Sequence, residues 1–226
     1  MFNMATNASA FIANARGLAA STKVLSLDEM RARRGAIEPA QSAELWSLES
    51  MRGRLVELSA RGATATLTAA TSLMLEAQTA NEPVAWITLQ SGTFYPPDIA
   101  DSGIDLAALV VVRAPDVYAM ARAAERVLRS GAFGLVVLDL IEELSTAHQG
   151  RLVTLAQAHD AAVVCITEKT SETASLGSLV SLRTEALRTR VPNSKTDHEL
   201  TLRAIKDKRR GPGWMRTIRA CGPSGM

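Results

Sequence analysis

The feature that most constrains the fold is a regular alternation of short apolar runs with helix-period segments. Each apolar run has the length of one strand, and the runs occupy residues 53–60, 83–90, 106–114, 133–140 and 161–168. Between them, residues 65–80, 115–131 and 146–160 repeat apolar side chains at the spacing of helices. Strands that are apolar throughout are typical of a parallel sheet buried on both faces. The pattern therefore predicts an α/β fold whose mostly parallel central sheet is flanked by helices.

The last fifth of the chain has a different pattern. Residues 179–190, 199–209 and 214–222 alternate polar and apolar side chains more regularly, and short turns join them. This pattern favours an antiparallel C-terminal extension of the sheet. We expect residues 51–226 to form the core domain and residues 1–50 to form an N-terminal arm, for which a docking helix over residues 4–20 and disorder remain alternatives.

Composition excludes several classes of protein. No apolar run reaches the roughly 18 to 20 residues that would span a bilayer, and the N-terminus does not resemble a secretory signal. Cys165 and Cys221 are too few for a disulfide framework, and the scattered histidines do not have metal-ligand spacing. These features predict a cytoplasmic protein without a structural metal.

Positive charge is concentrated near the C-terminus. Residues 181–220 contain eleven Lys and Arg against four Asp and Glu, a net charge of +7, so the remaining residues carry −5 of the total of +2. A basic segment on a mildly acidic body suggests a surface for phosphates or for an acidic protein, although a solvated face is the simpler alternative. The candidate contact residues in this segment are Arg183, Arg188, Arg190, Lys206, Lys208, Arg209 and Arg210.

The turn after the first strand lacks the residues of a nucleotide-binding loop. A phosphate loop needs glycines for its tight backbone and a lysine for the terminal phosphates. This turn offers Gly62, Thr64 and Thr66, and the chain has no lysine between Lys23 and Lys169. A helix start without that lysine can hold an anion only weakly.

Two strand ends resemble positions that support ATP hydrolysis elsewhere. Asp139 ends an apolar strand, as does the acid that supports Mg²⁺ in phosphate-loop ATPases. Gln90 follows the second strand, where such an ATPase would have an acid to activate water, and a neutral amide cannot act as that base. Gly62, Thr64, Thr66, Asp139 and Gln90 are therefore interpreted as vestigial positions, and we expect no catalysis and no cofactor.

The ordered series of these segments resembles the core of the RecA recombinase family, and within it the ImuA family of accessory proteins. GRLVELSA, VAWITLQ, the strand ending LVVLDL and RLVTLAQAHDAAVVCITE are similar to successive parts of that core, and ELTLRAIKDKRRGPG is similar to its last basic turn. The resemblance covers residues 53–222. It implies that Lys206 and Lys208 occupy positions that reach across a subunit boundary.

The resemblance implies a role in DNA repair under the SOS response. The expected partners are RecA and the inactive Y-family polymerase homologue of the translesion mutasome, and the expected effect is to inhibit homologous recombination in favour of error-prone bypass. Two alternatives remain: a sequence-independent DNA-binding module, and a residual ATPase that would rely on Thr64 or Thr66.

Overall fold

The computed structural model describes residues 45–61, 65–139, 143–191 and 197–221. The chain divides into two compact units, Met1–Ala36 and Ile37–Met226, and all described residues belong to the second. Its strands are β1 (Arg54–Ser59), β2 (Val84–Leu89), β3 (Leu109–Ala114), β4 (Leu135–Leu138), β5 (Ala162–Thr167), β6 (Leu182–Arg190), β7 (Asp197–Asp207) and β8 (Met215–Cys221). Its α-helices are α1 (Leu48–Met51), α2 (Thr66–Thr79), α3 (Val117–Arg129) and α4 (Thr146–Ala158).

The described strands form one eight-stranded mixed sheet in the order β3-β2-β4-β5-β1-β6-β7-β8. The pairs from β3 to β6 are parallel, whereas β6 with β7 and β7 with β8 are antiparallel. The predicted fold class is therefore confirmed at the level of a mostly parallel α/β sheet with an antiparallel C-terminal extension.

Two apolar layers cover the parallel strands. On one face, α1 and α2 pack with Trp46 on side chains such as Val56 and Leu58. On the other face, α3 and α4 pack on alternate side chains, among them Leu55 and Val163. Because side chains alternate across a strand, β1 and β5 carry apolar side chains on both faces, as their sequences predict, although β1 also buries Arg54 and Glu57.

The helices on the second face begin at conventional capping residues. The side chain of Asp116 accepts a hydrogen bond from the N–H of Ala119 at 2.7 Å, and that of Ser145 accepts one from the N–H of His148 at 3.3 Å. Within the described residues, no helix is both long and apolar enough to cross a bilayer.

The core begins earlier than the predicted boundary at residue 51. Trp46 is fully buried and its Nε1 donates to the carbonyl of Ala69 at 3.2 Å, while Leu48 and Met51 join the same apolar layer. Residues 45–50 therefore belong to the core and not to an arm. The sequence misled here because four helical residues are too few to show a hydrophobic period.

The start of the third predicted strand differs too. Residues 106–108 form a 3₁₀ turn, capped by the Asp105 side chain, and β3 begins only at Leu109. The preceding loop also holds a 3₁₀ helix, Pro96–Ser102, which ends at Gly103 with a φ of 87°. Both turns deliver the chain to β3 at the edge of the sheet.

Candidate functional site

The strand acid Asp139 is bound by a neighbouring side chain. It lies directly after β4, is 7% exposed, and its Oδ2 accepts a hydrogen bond from Nε1 of Trp86 at 3.1 Å. Burial raises the pKa of the Asp139 carboxyl, although the indole donor opposes that rise. A buried carboxyl that already binds an indole is poorly suited to hold a hydrated cation.

An aromatic pair fills the space beside this acid. Phe94 stacks on Trp86 with ring centroids 4.0 Å apart and an interplanar angle of 14°. Arg113 holds the loop that carries Phe94, because its guanidinium donates to the carbonyls of Gly92 at 3.0 Å and Phe94 at 2.9 Å. A side chain at Gly92 would overlap the hydroxyl of Thr88, so the close approach of this loop requires glycine. The end of β2 is thus packed with apolar rings.

The other vestigial positions offer little chemistry. Gln90 is exposed, and its backbone N–H extends the pairing of β2 with β3 by donating to the carbonyl of Ala114 at 2.8 Å. Thr66 is the first residue of α2. Gly62 and Thr64 lie outside the described residues. Among those that are described, no group of three or more His, Cys, Asp or Glu side chains could hold a metal ion.

Arg183 is not the surface cation that the sequence predicts. It is 2% exposed, and its guanidinium donates to the carbonyls of Thr170, at 2.7 Å, and Thr173, and to Oγ of Ser59 at 3.3 Å. Nε also lies 3.9 Å from Oε1 of Glu57. Arg183 therefore holds the loop between β5 and β6 against the sheet, and a partner or DNA cannot reach it.

Glu57 is the important residue that sequence reasoning missed. It is fully buried in β1 and accepts hydrogen bonds from Oγ1 of Thr167 at 3.1 Å, Oγ of Ser175 at 2.6 Å and the N–H of Leu176 at 3.0 Å. The ammonium of Lys169 lies 3.7 Å from Oε1. A buried acid needs hydrogen-bond or charged partners. The position of Glu57 between apolar residues of a predicted strand was therefore the sequence signal for such a network.

Asp207 organises the turn that follows β7. Its Oδ1 accepts from Nη2 of Arg54 at 2.8 Å and from the N–H of Arg209 at 2.9 Å, and its Oδ2 accepts from Nε1 of Trp214 at 3.1 Å. Burial alone would raise the pKa of Asp207, but these donors and the charge of Arg54 outweigh it and lower the pKa. We name residues 206–210 the basic turn.

The cations of the basic turn bond mainly to backbone carbonyls. Nζ of Lys206 donates to Gly177 at 3.3 Å, and Nζ of Lys208 donates to Ser178 at 2.6 Å. Arg209 is exposed and its guanidinium lies 3.4 Å from the carbonyls of Ser50 and Arg52. Arg210 is also exposed.

Arg188 and Arg190 lie at the opposite end of β6. Both are exposed, whereas the basic turn lies beside the start of β6, where Lys206 pairs with Arg183 and Asp207 with Leu182. From residue 182 to residue 190, a strand extends roughly 25 Å at about 3.3 Å per residue. The exposed contact residues thus form two separate groups, and the buried Arg183 lies beside the basic turn, in register with Lys206.

No protein-family model matches the chain, and no curated protein matches it. The assignment of a function therefore depends on the geometry described above and on the resemblance seen in the sequence.

Proposed function

We propose that this protein is a non-catalytic RecA-like accessory protein of DNA repair, which binds a recombinase or the polymerase-like partner of a translesion mutasome. The observation that carries the proposal is the hydrogen bond between Trp86 and Asp139. In a working phosphate-loop ATPase, the strand acid must be available to the hydrated Mg²⁺. Here the acid is buried and accepts a hydrogen bond from Trp86, on which Phe94 stacks, and the chain has no lysine between Lys23 and Lys169.

The sheet supports the proposal as well. Strands and helices follow one another in the order on which the resemblance to the RecA core depends, and the basic turn lies between the last two strands of the antiparallel extension. A subunit that fits a head-to-tail assembly but cannot turn over nucleotide would end the assembly, because it offers only one competent face. This is a physical route by which the protein would inhibit homologous recombination in the cytoplasm and favour error-prone bypass.

A second candidate is sequence-independent DNA binding through Arg188 and Arg190. Their exposure at the end of β6 favours it. Contacts of this kind act on phosphates alone, so the affinity would fall steeply with salt. Trp214, the one aromatic residue in the basic segment 181–220, is 4% exposed and cannot stack on bases.

The test is a pull-down of purified RecA with this protein, together with a strand-exchange assay in its presence and absence. We expect RecA to be retained and strand exchange to slow as this protein is added. The same pull-down with the polymerase homologue assigns the partner if RecA is not retained. Retention of neither protein would overturn the proposal.

Two binding measurements separate the alternatives. A fluorescent ATP analogue with Mg²⁺ is expected not to bind at micromolar concentrations, and micromolar affinity would favour the residual ATPase. Single-stranded oligonucleotides at low and moderate salt test the DNA-binding candidate. If the original chain binds the oligonucleotides and a variant with both Arg188→Met and Arg190→Met does not, the result would favour that candidate.

A further inference from the structure

Three cations of the basic turn lack acidic partners. Lys206, Lys208 and Arg209 form no ion pair within the part of the chain that the structure describes, and the hydrogen bonds of their side chains go to neutral carbonyls. The neighbouring Arg54 differs, since it is paired with Asp207 at 2.8 Å. A carbonyl oxygen is a weaker acceptor for an ammonium than a carboxylate is. The turn therefore has unused capacity for an anion.

The turn is also held in one shape. Asp207 accepts from the N–H of Arg209 and the indole of Trp214, and the carbonyl of Asp207 accepts from the N–H of Gly211 at 3.0 Å. Gly211 has a φ of 82°, a conformation that favours glycine. A ligand that binds a preformed turn does not have to order it, which favours affinity.

Like charges crowd this surface. Burial lowers the pKa of Lys206 and the charge of Lys208 lowers it further, whereas the charge of Glu57 raises it. The charges of Arg209 and Arg210 likewise act against the protonated form of Arg54. Negative charge placed against the turn would relieve this repulsion.

The size of the surface favours a short ligand. Arg188 and Arg190 lie five and seven residues along β6 from Arg183, the register partner of Lys206, so they are about 17 and 23 Å away at about 3.3 Å per residue, and the two groups do not form a continuous track for a nucleic acid backbone. Trp214, whose indole donates to Asp207 in the basic turn, is buried and cannot stack on bases. A compact group of cations on a rigid turn is suited to a few adjacent carboxylates.

We propose that the basic turn docks a short acidic segment of a partner protein, whose carboxylates replace the carbonyls of Gly177 and Ser178 as acceptors for Lys206 and Lys208. This inference rests on the proposed function, in which the protein acts through a protein partner. Docking frees the end of the loop at residues 177 and 178. The start of the same loop stays fixed, because Arg183 and Glu57 hold it from within the sheet.

The first experiment measures binding of fluorescent hexaglutamate to the full-length chain at low salt. The test variant carries Lys206→Met and Lys208→Met, and Lys208→Met alone serves if the half-buried Lys206 proves necessary for folding. The matched control carries Arg188→Met and Arg190→Met. We expect the test variant to bind roughly tenfold more weakly or worse, since each charged hydrogen bond contributes substantially, and the control to stay within about twofold. Equal affinity of the test variant and the original chain would overturn the proposal.

The second experiment identifies the ligand class and the movement. Hydrogen exchange of the peptide covering residues 174–181 is expected to rise when hexaglutamate binds and to be already raised in the test variant. Unchanged hydrogen exchange of this peptide would contradict the proposal that Lys206 and Lys208 leave the carbonyls of Gly177 and Ser178. An oligothymidylate of the same charge that binds the basic turn more tightly than hexaglutamate would also overturn the proposal, in favour of nucleic acid.

Failure of this inference can be told apart from failure of the proposed function. If hexaglutamate binds and the pull-down retains neither RecA nor the polymerase homologue, the docking site for an acidic segment is supported and the proposed function is contradicted. If RecA is retained equally by the original chain and the test variant, the function stands and the basic turn is not its docking site.

Discussion

The indole N–H of Trp86 donates to Oδ2 of Asp139 across the neighbouring strands β2 and β4, over 3.1 Å. The two residues come from different strands, so the contact depends on the parallel pairing that brings the strand ends together. This hydrogen bond occupies the carboxylate of Asp139, which would otherwise face the carboxyl edge of the sheet, where α/β proteins commonly bind ligands.

Replacing Asp139 with Asn tests this structural role. The amide oxygen can still accept from Trp86, and no buried charge remains, so Asp139→Asn should unfold at pH 7 with a free energy equal to or above that of the original chain. Because the native pKa of Asp139 is raised, its stabilising contribution is present below the unfolded pKa of about 3.9 and is lost as pH rises through the native pKa. Urea unfolding across pH measures the difference. Marked destabilisation by Asp139→Asn at pH 7 would contradict this role.

The ion pair of Arg54 with Asp207 should be costly to break. Both side chains are almost fully buried, so Asp207→Asn leaves the guanidinium uncompensated and should lower the free energy of unfolding by about 3–5 kcal/mol. The native pKa of Asp207 is lowered, so its contribution is present above the unfolded pKa of about 3.9 and is lost as pH falls through the native pKa. The stability gap between the two proteins should therefore shrink only in acid, and a gap that is constant down to pH 2 would rule this out.

Arg183 and Arg188 make a matched pair on β6. Arg183→Met removes the donors to Thr170 and Thr173 and should cost about 3–5 kcal/mol of stability, because a buried charged network is broken. Arg188→Met changes an exposed side chain and should stay within about 0.5 kcal/mol. Denaturant unfolding compares them, and similar values for both would mean that Arg183 is not structural.

Trp46 tests where the core begins. Trp46→Ala should destabilise the fold by about 3–5 kcal/mol, as expected for a fully buried aromatic residue that also donates to Ala69. The control is Leu67→Ala on α2, which is 41% exposed and should have a much smaller effect. If Trp46→Ala proves as mild as the control, residues 45–50 do not contribute to the core.

The periodicity of the sequence predicted most elements well. The runs that became β1, β2, β4 and β5 could be predicted because strands buried on both faces are mostly apolar, although β1 also buries Glu57. Gly131, predicted to end the second helix, follows α3 with a φ of 69°. The order of the strands across the sheet could not be predicted from the sequence, because local patterns do not specify which strands are neighbours.

The candidate site was harder to predict because it depends on long-range packing. Arg183 and Arg188 are five residues apart and so point to opposite faces of β6, but the sequence does not show that the loop between β5 and β6 covers the face of Arg183. The contact of Trp86 with Asp139 joins residues 53 positions apart. Glu57 alone gave a local signal, as an acid between apolar neighbours.

The length of β6 has a consequence for how this protein can be engaged. β7 pairs with β6 along its length and β1 pairs with residues 182–185, so β6 behaves as a stiff spacer whose two ends cannot approach each other. A short acidic ligand bound to the basic turn therefore does not reach Arg188 or Arg190. A single molecule that contacts Lys206 and these arginines must span about 17 to 23 Å, and shortening such a molecule should abolish its avidity abruptly.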